Sequence, residues 1–230
     1  MKKHIPNTLT CCNLISGCIA TYYAFYGDYR MALLFIVIGA VFDFFDGMVA
    51  RLLHVSSPIG KELDSLADDI TFGFAPSAII FNWLCQTITL SSPLATIIPF
   101  GAFIMAAFSA LRLAKFNLDE RQSLGFIGLP TPANALFWGA LIAGSNEWLQ
   151  TIGYAPYIIL LLSFVSSYLL VSEIPMFALK FKQWGWKGNE IKYIFLLSCI
   201  PLLIIFRVSG IAIIILWYVL LSVVSSRCCK

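Results

Sequence analysis

Apolar runs, most of them near the roughly 20 residues a helix needs to cross a bilayer, recur along the chain. They predict helices near residues 8–26, 31–50, 62–84, 94–114, 132–150, 155–179, 191–206 and 209–226. The expected fold class is an all-α integral membrane protein, a bundle of about eight transmembrane helices around a six-helix core. The 191–206 run is short and the gap after it is only a few residues, so a re-entrant or tightly turned pair there sets six as the lower count. No internal repeat, linker or low-complexity segment divides the chain, so residues 1–230 are read as a single domain.

Composition supports that reading. Hydrophobic residues make up 60% of the chain and the mean hydropathy is +0.86, which excludes an ordinary soluble protein. Alternate loops collect Lys2, Lys3, Arg51, Lys61, Arg112, Lys115, Arg121, Lys180, Lys182, Lys187, Lys192, Arg227 and Lys230, leaving Arg30 and Arg207 on the other side. The positive-inside rule then places both termini in the cytoplasm, and a multi-pass protein of the cytoplasmic membrane is expected. The net charge of +3 is a loop effect and implies no nucleic-acid partner. The first apolar run lacks a small-residue cleavage site and is read as a retained helix. The seven cysteines form no metal pattern. Cys11, Cys12, Cys18, Cys85 and Cys199 sit in apolar runs as small hydrophobes. Cys228 and Cys229 read equally as acylated thiols or as a reduced tail.

One stretch breaks the apolar pattern: Asp43-x2-Asp46-Gly47-x2-Ala50-Arg51-x8-Gly60-x3-Asp64-x3-Asp68. A lone acid at the centre of a membrane helix costs about 2.5–3.5 kcal/mol, so four ask for roughly 10–14 kcal/mol before compensation. Offsets of three, four, seven and eight from Asp43 put Asp46, Gly47, Ala50 and Arg51 on one helical stripe. Gly60, Asp64 and Asp68 form a second. Antiparallel helices joined by a turn at His54–Ile59 would bring the stripes together around one polar pocket on the cytoplasmic side. Four carboxylates suit hard divalent cations. Packing of small residues explains Gly47, Ala50 and Gly60 but leaves the acids unexplained.

This pattern resembles the signature of the CDP-alcohol phosphatidyltransferase family at every fixed position. The resemblance implies transfer of a phosphatidyl group from a CDP-linked lipid, here CDP-diacylglycerol, to an alcohol with release of CMP. It implies two divalent cations, Mg or Mn, held by Asp43, Asp46, Asp64 and Asp68. Asp68 is the family's candidate general base, one turn beyond Asp64. Arg51 is expected at phosphate oxygens, with Gly47, Ala50 and Gly60 allowing the nucleotide close to the backbone. Asp69 points about 100° from Asp68 and is left outside the site. The stretch Ile5-Pro6-Asn7-Thr8-Leu9-Thr10 resembles the start of the family's first helix. Its Asn7 and Thr10 are expected to reach the nucleotide or to cap the helix.

Three further segments resemble the serine-using, membrane-embedded branch of the family: Leu63–Gly73 with Ala75-Pro76, Leu111–Asn117, and Phe126–Ala135. The departure is Asp69, where an apolar residue is more typical. L-serine is therefore the expected acceptor, with Arg112 and Lys115 as a clamp for its carboxylate and Asn117 as a further polar contact. The two cations serve equally well as topology signals. The lipid donor must enter sideways, through a groove that Phe44, Phe45, Phe72 and Phe74 flank. Family members are usually homodimers, and Ile158–Leu170 and Ile211–Leu221 offer apolar faces for such contact or for membrane lipids. The rival readings are a related transferase acting on glycerol 3-phosphate, inositol phosphate or choline, and, in another class, a divalent-cation transporter. Transporter sites lie near the midplane between structural repeats, whereas these acids flank a cytoplasmic turn and are not repeated.

Overall fold

The computed structural model describes residues 4–55, 57–88, 93–118, 126–176, 185 and 189–228. Among them the chain is almost wholly helical: α1 (His4–Tyr26), α2 (Tyr29–Leu52), α3 (Pro58–Asp68), α4 (Ala75–Thr87), α5 (Pro93–Ile97), α6 (Ile104–Leu118), α7 (Thr131–Gln150), α8 (Ala155–Val171), α9 (Glu190–Phe206) and α10 (Ser209–Cys228). Two pairs are single rods. A π-helical stretch, Asp69–Phe74, joins α3 to α4, and a 3-10 stretch, Ile98–Phe103, joins α5 to α6. Eight rods result, and they overlie the eight apolar runs.

Prolines account for the irregular turns. Pro76 has no N–H for the carbonyl of Phe72, and its ring crowds that carbonyl, so the helix widens and Ala75 N–H bonds to the Ile70 carbonyl instead. Pro99 sits inside the 3-10 stretch in the same way. Between α2 and α3 the turn is tighter than the sequence predicts. Helix α3 begins at Pro58, with the Ser57 hydroxyl accepting from Gly60 N–H at 3.0 Å, so Ile59 lies within the helix.

Helix α1 is the hub of the N-terminal half, packing against α2, α3, the π-helical stretch and α4. Its buried face, Thr10, Asn13, Ser16, Gly17, Ala20 and Ala24, is polar towards one end and made of small residues towards the other. At Gly17 a Cβ would fall 2.8 Å from the Thr71 Cα, so only glycine admits the π-helical stretch at this distance. Helix α7 closes the core against α2, α4 and α10, burying Trp138, whose indole N–H donates to Ser166 Oγ at 2.9 Å.

A two-residue antiparallel pairing, Phe126 with Met176 and Ile127 with Pro175, ties the segment before α7 to the segment after α8. The sequence gives no sign of it. Helix α8 consequently ends at Val171 rather than near 179, and Glu173 lies beyond the helix rather than inside an apolar span.

Two helices among the described residues, Tyr29–Leu52 and Ala95–Leu118, are long and apolar enough to cross a membrane, and Ala155–Val171 and Ser209–Val224 are shorter apolar helices. Helix α9, packed mainly on α10, exposes Leu197, Ile200, Ile204 and Ile205. Such a surface is consistent with a membrane protein. Lys2, Lys3, Arg121, Lys180, Lys182, Lys187, Cys229 and Lys230 lie outside the described residues, as do the side chains of Arg227 and Cys228. Arg112, counted among the cations of the cytoplasmic side, is 7% exposed within α6. The free cysteines Cys11, Cys18 and Cys85 are exposed on their helices.

Candidate active site

Helix α2 delivers Asp43 and Asp46, and the α3 rod delivers Asp64 and Asp68. Carboxylate oxygens of Asp43, Asp64 and Asp68 all lie within 4.8 Å of one another. Among the described residues Asp64 Oδ1 is buried without a hydrogen-bond partner. Three acids at this spacing, one of them with an orphaned oxygen, have the donor set and the unmet charge that a hard divalent cation satisfies. The cluster could hold a metal ion.

Asp46 stands beside this group rather than in it. It is 6% exposed and accepts a 2.6 Å hydrogen bond from Thr10 Oγ1. Asp68 Oδ1 accepts from Asn13 Nδ2 at 3.1 Å, and the Asn13 backbone carbonyl accepts from Thr71 Oγ1 at 3.0 Å. Thus α1 holds one acid from each of the other two helices. Asn13 was missed in the sequence. The signal was present, because Asn7, Thr10 and Asn13 repeat at three-residue spacing along a mainly apolar helix.

A cavity of about 330 Å³ opens next to the acids, lined by Asn7, Thr10, Asp46, Gly47, Ala50, Gly60, Lys61 and Asp64 among others. Five of the six residues expected at a nucleotide converge on it. Arg51 does not line it; the side chain is exposed, with Nη2 4.0 Å from a Cβ built on Gly47. The two glycines differ. A Cβ on Gly47 meets nothing nearer, so the backbone is open to the cavity there. On Gly60 a Cβ would fall 2.9 Å from Ser57 Oγ and 3.1 Å from Asn7 Oδ1, so that glycine brings α1 against the start of α3. A larger cavity, about 620 Å³, lies between Tyr26–Arg30 and Ala143–Trp148 and contains none of these residues.

On α6 the expected serine clamp separates. Arg112 is buried, donates from Nη1 to Thr131 Oγ1 at 3.3 Å, lies 5.9 Å from the Phe116 ring centroid and interacts electrostatically with Asp68. Lys115 is exposed. Asn117 faces α3, where Nδ2 donates to Ser65 Oγ at 2.8 Å and its carbonyl accepts from Lys61 Nζ at 2.8 Å. Of the phenylalanines expected along a lipid groove, Phe44 and Phe45 are exposed neighbours, their rings 5.8 Å apart. Phe72 is fully buried in the core, and Phe74 stacks on Phe103.

A helical bundle that gathers paired aspartates from two helices beside an open glycine-lined cavity defines a class, and comparison with known proteins gives the same one. The profile of the CDP-alcohol phosphatidyltransferase family matches residues 3–167, and the chain belongs to this family. It is similar to proteins named CDP-diacylglycerol–serine O-phosphatidyltransferase. That of Bacillus subtilis is 35% identical over 75% of this chain and 89% of the relative. That of Helicobacter pylori is 32% identical over 83% and 79%, and that of Mycobacterium leprae 29% identical over 75% and 57%.

Proposed function

We propose that the chain transfers the phosphatidyl group of CDP-diacylglycerol to the hydroxyl of L-serine, giving phosphatidylserine and CMP. The observation that carries this reading is the convergence of Asp43, Asp64 and Asp68 beside the cavity of Asn7, Thr10, Gly47, Ala50 and Gly60. The names of the relatives supply the acceptor.

In this reading Asp43, Asp46, Asp64 and Asp68 hold two divalent cations, Mg or Mn. Bound by these acids, divalent cations would supply Lewis-acid stabilisation of charge on the pyrophosphate and on the departing CMP. The cavity residues seat the nucleotide, with Arg51 at its rim. Asp68 takes the proton of the serine hydroxyl, and Asn13 fixes its other oxygen for that task. The serine oxygen forms a bond to the phosphorus that carries the diacylglycerol. The phosphoanhydride bond breaks, its electron pair leaving on the CMP phosphate. Arg112 faces the acceptor, while Lys115 and Asn117 lie at the cytoplasmic approach.

The same reading takes residues 1–230 as one domain of eight membrane crossings, six of them forming the catalytic core. Both termini and the active site face the cytoplasm, and the chain is multi-pass in the cytoplasmic membrane. A homodimer in contact through the apolar faces of Ile158–Leu170 or Ile211–Leu221 completes it.

CMP release by the purified chain in detergent, with CDP-diacylglycerol and Mn²⁺, tests the reading. L-serine, glycerol 3-phosphate, inositol phosphate and choline are offered separately, with EDTA as control. Release driven by L-serine alone is expected. Release driven by another alcohol overturns the acceptor, and no release with any of them overturns the transferase.

A further inference from the structure

The larger cavity, about 620 Å³, lies where the turn between α1 and α2 meets the end of α7, and the transfer reaction uses none of its residues. Its size is that of a small-molecule site. A helical rise of about 20 Å along α1 separates Asn13, at the acids, from Tyr26, at this cavity. The two sites therefore sit at opposite ends of the same helices. In the membrane orientation proposed above, this end meets the non-cytoplasmic interface.

The cavity wall is fixed by its own hydrogen bonds. The buried Tyr29 donates from its hydroxyl to Asn82 Oδ1 at 2.8 Å, and the Trp83 indole N–H donates to Asn146 Oδ1 at 2.9 Å. Helix α4 is thereby pinned to α2 on one side and to α7 on the other. Asp28 Oδ1 accepts from Met31 N–H at 3.0 Å, which holds the turn. Among the described residues Arg30 and Glu147 stand outside this network, exposed on the cavity lining. Arg30 is informative because lysine and arginine are depleted from this side of a membrane protein, so topology gives no reason for it.

The charges describe the ligand. One guanidinium shares the cavity with two carboxylates, Asp28 and Glu147. A purely anionic group meets more negative than positive charge there, and a simple cation meets the guanidinium. A phosphodiester that carries a primary ammonium answers both signs. Tyr26 and Trp148, exposed on the same lining, are the amphipathic aromatics that settle at headgroup depth, and they favour a lipid over a soluble ester of the same chemistry.

We propose that this cavity binds the headgroup of a zwitterionic phospholipid. Arg30 donates to the phosphodiester oxygens, Glu147 and the second oxygen of Asp28 accept from the ammonium, and the acyl chains pass Tyr26 and Trp148 into the bilayer. This goes beyond the transferase reading and rests only on the membrane embedding.

The test is binding of dioctanoyl phosphatidylethanolamine to the full chain in detergent, followed by native mass spectrometry. Dioctanoyl phosphatidylglycerol and the soluble glycerophosphoethanolamine are compared, and CMP release is read on the same preparations. Phosphatidylethanolamine is expected to bind at least about fivefold more tightly than either. Arg30→Gln should weaken both lipids about three- to tenfold, and Glu147→Gln should remove the preference for phosphatidylethanolamine over phosphatidylglycerol. Both side chains are exposed, so the melting temperature should hold and CMP release should stay within about twofold. Equal binding of the two lipids by the unaltered chain, or binding unchanged in either variant, overturns the site. Glycerophosphoethanolamine bound as tightly as the lipid overturns the lipid as its occupant. Absence of CMP release by the unaltered chain, with lipid binding as expected, overturns the transferase reading and upholds this one.

Discussion

Asn13 donates its amide N–H to Asp68 across 3.1 Å, joining the first helix to the acid proposed as general base. The contact is part-buried, and Asn13, itself fully buried, is held through its carbonyl by Thr71. One oxygen of Asp68 is thereby fixed and the other is left for the metal and the acceptor. Asn13→Ala should lower kcat about ten- to a hundred-fold, the worth of a hydrogen bond to a charged group, while the KM for L-serine changes by less than about threefold. A rise in KM at constant kcat would assign Asn13 to acceptor binding instead.

Asp68→Asn keeps the shape of the side chain and an oxygen for Asn13, but removes the proton acceptor. The expected outcome is a folded protein that still binds Mn²⁺ and has lost at least about 10²–10⁴ in kcat. Thermal unfolding, Mn²⁺ binding and CMP release measured on one preparation check it. Retained transfer removes Asp68 from the base role.

Gly47 and Gly39 make a contrasting pair. Gly47→Ala places a methyl group at the open wall of the cavity, so the melting temperature should hold while the KM for CDP-diacylglycerol rises at least about fivefold, the effect of a clash worth about 1 kcal/mol. In Gly39→Ala the new Cβ would stand 2.5 Å from Thr71 Cγ2 and 2.9 Å from Asn13 Oδ1. That overpacking should destabilise the fold by about 1–3 kcal/mol and lower kcat with it.

The two cations of α6 should part company in the same assay. Arg112→Gln is expected to raise the serine KM at least about tenfold, because its partner would be left buried and unmatched. Lys115→Gln, on an exposed side chain, should leave it within about twofold. Equal effects would restore the clamp of both residues that the sequence suggests.

Metal removal has a stability signature as well as a kinetic one. Mn²⁺ should raise the melting temperature of the unaltered chain in detergent, since a ligand that binds only the folded state stabilises it. EDTA should reverse this and abolish CMP release. Asp64→Asn, which alters the acid with the orphaned oxygen, should blunt the Mn²⁺-dependent shift.

The acids were legible in the sequence because charge inside apolar runs is costly and the turn between them is short. Periodicity put Asp43 with Asp46 on one stripe and Asp64 with Asp68 on another, and the short turn faced the two stripes together. It could not separate Asp46, whose distinct place depends on Thr10 arriving from a third helix. Nor could it find the burial of Arg112, since a cation near a helix end reads equally as a topology signal. Asp69 was set aside on the geometry of a regular helix. The π-helical stretch that begins at Asp69 and the close passage of Ser109 past Gly73 give that residue its buried surroundings, and neither is written in the local pattern.

The widened turn between Asp69 and Phe74 also lets one rod answer to two masters. Below it the helical phase is dictated by the carboxylates; above it, by the wall of Ala75, Ile79, Ile80 and Trp83 that seals the bundle. A regular helix would couple those phases rigidly, about 100° per residue, and correct aim at one end would set the other. The extra residue acts as a vernier. It lets the chemistry be indexed against α1 and α2 while the packing is indexed against α7, and loss of a single residue from this stretch would rotate the acids away from their partners without disturbing any of them in sequence.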